Sequence, residues 1–279
     1  MKRREFITLL GGAAAVASPL GARGQQGRKV PRIGVLWPTS SEAEEEPFIR
    51  SLRIGLQELG YVESRTIALE NRFASRRYDR FGSLAAELVA LPVDLLIAVT
   101  LPAALAAQKA TTSIPIIFIL VHDPVETKLV DSFARPGRLI TGFSHMSLNL
   151  TAKRLELFKE LIDGWPFAFL VNPANEQFAR LAKEEMRAAA ASLGLDFQLI
   201  ETRVSDELDS IFAKMAQDGI KGVVLASDAM FFGERSRIAD LAIRYRMATM
   251  FAAREHVAAN GLMSYAPSKS KERCRLISR

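Results

Sequence analysis

The stretch DLLIAVTLPAALAAQKATTSIPIIFILVHDP, residues 94–124, decides the fold. It contains two short, continuous apolar runs, residues 95–99 and 116–120, separated by an alanine-rich segment that opens with Thr100 and Pro102. Continuous apolar runs of this length are typical of parallel strands covered on both faces, and the segment between them suits a crossover helix. The stretch therefore predicts one strand, helix, strand unit of a parallel sheet.

The same alternation extends along the chain in both directions. The strands predicted in this way are Arg32–Leu36, Thr66–Asn71, Asp94–Val99, Ile116–Leu120 and Leu139–Phe143, followed by Phe167–Val171, Phe197–Glu201, Gly222–Ala226 and Thr249–Phe251. The two series have a similar rhythm, because each opens with a strand and continues through a long helix that ends in Leu-Gly. The sequence therefore predicts two α/β lobes of one topology, with the change of lobe near Thr141 to Ser147.

Three amphipathic segments are predicted as helices, Pro47–Leu59, Asn175–Leu193 and Ser205–Asp218. Their apolar residues recur at spacings of three and four, and each segment is followed by a glycine suited to a left-handed helix end. We interpret the apolar stripes as core faces of the lobes and not as surfaces for a partner.

The first 26 residues are expected to be an export signal. Lys2, Arg3 and Arg4 precede an apolar stretch that ends at Leu20, and residues 22–24 have the small-x-small pattern of a cleavage site. The Arg3-Arg4 pair predicts twin-arginine export, with ordinary Sec export as the alternative. The apolar stretch is shorter than the ~20 residues of a spanning helix, so we expect a soluble, periplasmic protein after cleavage.

Composition narrows the function classes. The net charge is +6, but four basic residues and one acidic residue lie in the first 24 positions. The positive surplus of the rest of the chain is therefore small, and no basic patch for nucleic acid is predicted. A single cysteine, Cys274, excludes an intrachain disulfide. His122, His145 and His256 are scattered without ligand spacing, and no phosphate loop or nucleophile elbow is found. We therefore expect no metal, no cofactor and no catalytic residues.

The candidate site lies in the loops after the strands, because ligands of open parallel sheets bind beyond their carboxyl ends. The ligand-binding candidates are Thr39, Ser40, Thr100, His122 and Asp123 in the first lobe, and Asn172, Ser227 and Asp228 in the second. Thr100 either caps a helix or presents free N–H groups to an anionic ligand oxygen. Asn175 and Asp228 have the same alternative, since each is suited to capping the helix that follows it. Trp37 and Phe231 are candidates for stacking on an aromatic ligand, with core packing as the alternative.

Several stretches resemble ABC transporter substrate-binding proteins related to the tryptophan and tyrosine importers. They are Arg3–Gly12, Gly55–Val62, Pro102–Ala107, Ala110–Ile116, Asp123–Val125, Arg135–Gly137, Ala152–Leu157, Val171–Pro173 and Gly261–Tyr265. The resemblance implies a type I periplasmic-binding fold, two Rossmann-like lobes with parallel sheets that close over a ligand about a hinge, assigned here to Thr141, Gly142 and Phe251. It also implies that the protein is not an enzyme.

The same resemblance implies a small organic solute, such as an amino acid and including aromatic ones, as ligand. The carboxylate of an amino acid would lie near Thr39, Ser40 and Thr100, and its ammonium near Asp123 or Asp228. The implied partners are the permease and ATPase subunits of an ABC importer in the inner membrane, with no nucleic acid. Alternatives are an α/β enzyme on the same fold, a ligand-sensing subunit, and a non-functional truncated product.

The resemblance divides the chain into residues 1–26 as signal, 27–142 as the first lobe, 143–251 as the second, and 252–279 returning toward the first. After Pro267 the sequence departs from the family pattern, since residues 268–279 are basic and lack an apolar face. We therefore expect a shortened first lobe with exposed apolar surface.

Overall fold

The structure, a computed structural model, describes residues 30–144, 148–162 and 164–266. Described residues from Pro31 onward belong to one compact unit, which contains two five-stranded parallel sheets. The expected export signal and the basic tail, residues 1–26 and 268–279, lie outside the described residues. Within the described ranges, no helix combines the length and the apolar character that crossing a bilayer requires.

The first lobe is built on strands β1 to β5 in the order β2-β1-β3-β4-β5. These strands are β1 (Arg32–Trp37), β2 (Ala68–Phe73), β3 (Leu95–Val99), β4 (Ile116–Val121) and β5 (Ile140–Ser144). Its helices are α1 (Glu46–Glu58), α2 (Phe81–Ala90) and α3 (Leu101–Ala110), with a short 3₁₀ turn at Tyr78–Arg80. Residues 94–124 therefore form β3, α3 and β4, as predicted.

The second lobe repeats this plan with the order β10-β9-β8-β6-β7. Its strands are β6 (Phe167–Val171), β7 (Phe197–Glu201), β8 (Gly222–Leu225), β9 (Ala248–Phe251) and β10 (Met263–Ser264). Its helices are α4 (Thr151–Ile162), α5 (Glu176–Leu193), α6 (Leu208–Gln217), α7 (Ala229–Gly233), α8 (Arg235–Arg244) and α9 (Arg254–Ala258). Short 3₁₀ turns at Leu148–Leu150 and Ser205–Glu207 precede α4 and α6.

Helices cover both faces of the sheets, as the continuous apolar strands predict. In β3, Leu96 and Ala98 pack with α2 and α3, whereas Ile97 and Val99 pack with Ile49 of α1 on the opposite face. The second sheet follows the same rule, since alternate residues of β6 belong to two different buried clusters. The predicted α/β class is confirmed, and the nine predicted strands start and end within two residues of the observed bounds.

The segment after Phe251 differs from the expectation. The sequence placed a hinge at Phe251 and sent the chain back toward the first lobe from residue 252. Instead, β10 pairs in parallel with β9, and the N–H of Tyr265 donates to the backbone oxygen of Phe251, so the chain stays with the second sheet at least as far as Tyr265. A two-residue strand has too little apolar periodicity to be recognised in sequence. The other proposed hinge residues, Thr141 and Gly142, lie inside β5 and pair with β4.

Close packing in the second lobe requires a glycine at position 222. A Cβ atom added to Gly222 would lie 2.7 Å from Cζ of Phe158 and 3.3 Å from Cγ2 of Ile162, both on α4. Both side chains are fully buried, so neither has free space into which it can move. The helix α4 therefore approaches β8 more closely than a strand residue with a side chain would allow.

Replacing Gly222 with alanine is expected to lower the free energy of unfolding by about 1–3 kcal/mol, because the added methyl group overpacks the core against Phe158. Urea unfolding followed by circular dichroism measures the change. The matched control is Gly55→Ala in α1, where an added Cβ meets no atom within 4 Å. That control is expected to gain about 0.5–1 kcal/mol from helix propensity. Equal stability of Gly222→Ala and the wild type would contradict the packing argument.

Candidate ligand-binding cleft

A cavity of about 570 Å³ lies between the lobes, beside the carboxyl ends of strands from both sheets. The first lobe contributes Glu45, Phe48, Thr100, Leu120 and His122 to its wall. The second contributes Asn175, Phe178, Ser227, Asp228, Phe232 and Tyr265. The volume lies within the range of small-molecule sites, and the wall combines aromatic surface with a few polar groups, as such sites do.

The lobes are connected across the cleft by polar and aromatic contacts. The hydroxyl of Tyr78 in the first lobe donates to Oδ2 of Asp228 in the second, at 2.7 Å. The rings of Phe48 and Phe232 lie 5.3 Å apart at a tilted angle. The guanidinium of Arg76 pairs with Glu44 of its own lobe and with Glu234 of the other lobe. The structure is therefore a closed arrangement of the two lobes.

Asp228 is the centre of the polar network on the second lobe. Its Oδ1 accepts hydrogen bonds from Nδ2 of Asn172 and from the backbone N–H of Met230, both at 2.9 Å, while Tyr78 occupies Oδ2. Burial raises the pKa of the Asp228 carboxyl above its ordinary value, although the donated hydrogen bonds act in the opposite direction. Burial and the neighbouring Asp228 raise the pKa of Tyr78 well above its usual range, which keeps its hydroxyl a donor. Asp228 thus caps α7 and joins the lobes.

Thr100 has an unusual backbone at the start of α3. Its φ is +87°, a value that is rare for any residue with a side chain and rarer for a β-branched one. It stands at the N-cap position, but its side chain makes no capping hydrogen bond, and the buried Oγ1 finds no hydrogen-bond partner among the described residues. Strained residues with unsatisfied polar atoms are concentrated at functional sites. Thr100 therefore has the features of a ligand-binding residue.

Glu45 is a cavity residue that sequence reasoning missed. It precedes α1 directly, is only 3% exposed, and its Oε1 accepts a hydrogen bond from the hydroxyl of Thr39 at 2.9 Å. Burial raises the pKa of Glu45 to about 7, and the hydrogen bond from Thr39 only partly offsets this. The available signal was the position of Glu45, in the middle of the acidic run Glu44–Glu46 and two residues before the proline that opens a helix.

The cavity brings together four of the eight predicted ligand-binding residues, Thr100, His122, Ser227 and Asp228. The other four support its wall or lie nearby. The hydroxyl of Thr39 donates a hydrogen bond to Glu45, and Nδ2 of Asn172 donates one to Asp228. Ser40 is exposed and its N–H donates to Glu44. Oδ1 of Asp123 accepts from the N–H groups of Val125 and Glu126, so this carboxylate stabilises its own turn.

Trp37 and Phe231 do not stack on a ligand in this arrangement, because both are buried in the lobe cores. Trp37 is 1% exposed and its Nε1 donates to Oδ1 of Asn71, while Phe231 is fully buried. The pleat of β1 directs Trp37 toward α1, and the turn of α7 directs Phe231 inward and its neighbour Phe232 toward the cleft. The aromatic residues of the cavity wall are Phe48, Phe178, Phe232 and Tyr265.

Comparison with known proteins supplies relatives for this arrangement. The "Tyrosine-binding protein" of Clostridioides difficile (strain R20291) is 34% identical over 139 residues, which are 48% of this chain and 38% of the relative. The alignment thus spans less than half of the relative's length.

Two solved structures share the fold. The chain covers 79% of a conserved domain protein from Vibrio cholerae, with a TM-score of 0.75 and 24% identity over 85% of this chain. It covers 79% of an ABC domain in complex with L-Trp from Streptococcus pneumonia, with a TM-score of 0.70 and 21% identity over 85% of this chain. At these identities the likeness bears on the fold, and it confirms the predicted two-lobe periplasmic-binding architecture.

The model of the family described as "ABC transporter substrate binding protein" matches residues 32–270. The match includes both sheets and every residue assigned above to the cavity wall. Because it extends over most of the chain, this protein belongs to the ABC transporter substrate-binding protein family.

Proposed function

We propose that this protein is the exported solute-binding component of an ABC importer. It takes up a small organic solute in the cleft between its lobes and presents the closed complex to permease and ATPase subunits in the inner membrane. The observation that carries the proposal is the cavity of about 570 Å³ at the carboxyl ends of both sheets, enclosed by residues of both lobes.

The chemistry of the wall favours an amino acid with an aromatic or large apolar side chain. Phe48, Phe178 and Phe232 supply apolar surface, while Thr100 and Glu45 supply polar groups that the protein itself does not saturate. The names of two relatives point the same way, since one is a tyrosine-binding protein and the other was solved with L-Trp. Free α-amino acids of this size fit within the volume range of such cavities.

Export through the twin-arginine route and residence in the periplasm form part of the proposal. Their support is the arrangement of the first 26 residues, with Arg3 and Arg4 ahead of an apolar stretch and a small-x-small end. The proposal contains no catalytic step, and its support is the description of the family as substrate-binding proteins.

Ligand binding is tested by thermal melts of the full chain against a panel of L-tryptophan, L-tyrosine, L-leucine, L-glutamate and glucose. Aromatic amino acids are expected to raise the melting temperature in proportion to the logarithm of concentration, with about 2.7 kcal/mol of stabilisation at a hundredfold excess over Kd. Ala253→Trp, which fills the cavity, should abolish the shift. Ser236→Trp on the exposed side of α8 is the control and should keep it. The absence of a shift with every compound would refute the proposal.

Removing the hydroxyl of Tyr78 by Tyr78→Phe is expected to weaken binding of the amino acid that gives the largest shift. The variant leaves Oδ2 of the buried Asp228 without this donor in the closed state, a loss of about 1–2 kcal/mol or roughly 5- to 30-fold in Kd. Isothermal titration calorimetry measures the change. Tyr61→Phe, at a tyrosine that is 47% exposed, is the matched control and should bind like the wild type. Unchanged affinity of Tyr78→Phe would mean that this contact does not contribute to ligand capture.

Replacing both Arg3 and Arg4 with lysine is expected to stop export, because the twin-arginine machinery reads the arginine pair whereas Sec signals require only positive charge. Fractionation of expressing bacteria, with blotting for precursor and cleaved protein, is the measurement. Arg23→Lys alters a basic residue outside the pair and should leave export intact. If the cleaved form of the double variant reached the periplasm at the wild-type level, the signal would instead be assigned to the Sec route.

A further inference from the structure

The cavity wall holds two carboxyl groups among the described residues, and only one of them is saturated by the protein. Asp228 receives hydrogen bonds from Tyr78, Asn172 and the backbone of Met230. Glu45 receives one, from Thr39, on a single oxygen. The family resemblance implied a ligand ammonium near Asp123 or Asp228, but both oxygens of Asp228 accept from protein donors. Asp123 accepts from its own turn and lies outside the cavity wall.

The surroundings of Glu45 are apolar and enclosed, which makes an unsaturated carboxylate there costly. Phe48, one turn further along α1, packs against Phe232 of the opposite lobe, and both rings line the cavity with Glu45. The adjacent Glu44 is paired with Arg76 and turned to the contact between the lobes. The positive charge of Arg235 acts on Glu45, but its guanidinium lies over the face of Phe232 and donates to the backbone oxygen of that residue. Arg254 also lines the cavity, and it pairs with Glu255.

Thr100 supplies an independent indication that a polar ligand group belongs in the same cavity. Its hydroxyl is more than nine-tenths buried, has no partner among the described residues, and stands where α3 begins. The backbone N–H groups at this helix end and the hydroxyl favour an anionic oxygen. A ligand with a carboxylate and a cationic amine would therefore satisfy both Thr100 and Glu45.

We propose that Glu45 binds the ammonium group of the ligand, and that it thereby restricts the cleft to solutes with a free amine. The inference rests on the proposed solute-binding function and adds to it the residue that separates amino acids from aromatic acids of the same shape. A carboxylic acid without an amine would leave the buried Glu45 without a cationic partner, so the closed cleft would lack the charge-assisted hydrogen bond that an ammonium group makes.

Binding should also be linked to protons. Since burial raises the pKa of Glu45 to about 7, a substantial fraction of the free protein carries a protonated Glu45 at neutral pH. An ammonium group favours the ionised form, so binding releases a proton and affinity rises as the pH increases through about 7. The charged groups beside Glu45 are Glu44 with its partner Arg76, and Arg235. The other charged or titratable groups of the cavity wall are Asp228, Arg254 and His122. His256, which packs against Phe232, has its pKa lowered by burial to about 4 and stays neutral in this range.

The experiment is calorimetric titration of the full chain with L-tryptophan and L-tyrosine, and with their counterparts lacking the amine, 3-(indol-3-yl)propanoate and 3-(4-hydroxyphenyl)propanoate. The wild type is expected to prefer the amino acids by about 10- to 100-fold, and Glu45→Gln to lose this preference while binding the deamino acids within about threefold of the wild type. Glu46→Gln, at the neighbouring exposed acid that pairs with Arg50, is the matched control and should keep the preference.

A second measurement does not depend on the folding of a variant. Titration of the wild type with the amino acid at pH 7, in two buffers of different ionisation enthalpy, should reveal the release of about half a proton per ligand. The absence of proton release, or equal affinity of the wild type for the amino and deamino acids, would overturn the role of Glu45 and leave solute binding standing. No binding of either class by the wild type would instead overturn the solute-binding function itself.

Discussion

Both lobes depend on the requirement that a parallel sheet be covered on its two faces. Helices on each side leave only the strand ends free, and in a parallel sheet the carboxyl ends all lie at one edge. Four residues of the cavity wall follow directly from this geometry, since Thr100 succeeds β3, His122 succeeds β4, and Ser227 and Asp228 follow β8. The buried alternation in β3 and β6 and the location of the cleft are therefore two results of one constraint.

The contacts between the lobes are of a different kind from those within them. The lobe interiors are packed from aliphatic and aromatic side chains. The cleft has one aromatic contact, between Phe48 and Phe232, and is otherwise bridged by Tyr78 with Asp228 and by Arg76 between two glutamates among the contacts described above. Apolar interiors are held by area removed from water and change little with geometry, but hydrogen bonds and ion pairs require short distances. The same chain can therefore keep each lobe intact while the contact between them is made or lost.

The sequence predicted the strands well because their apolar runs are long enough to be recognised. It also located Thr100 and Asp228, because both residues follow the ends of such runs. It could not foresee which way a side chain points at such an end. Trp37 was a candidate for stacking on a ligand, yet the pleat of β1 places it in the core, where its Nε1 donates a hydrogen bond to Oδ1 of Asn71. Glu45 was missed because one acid in an acidic run becomes distinct only when Thr39 and the opposite lobe enclose it. The short β10 carried no periodic signal at all.

The bridge formed by Arg76 has a kinetic consequence. Its guanidinium passes over Gly233, where an added Cβ would lie 2.7 Å from its Nε, and it reaches Glu234 on the far lobe. Contacts made between protein groups favour the closed form independently of the ligand, which lessens the work that a ligand must do once inside but also shuts the entrance. A tighter bridge would therefore slow loading even as it prolonged retention.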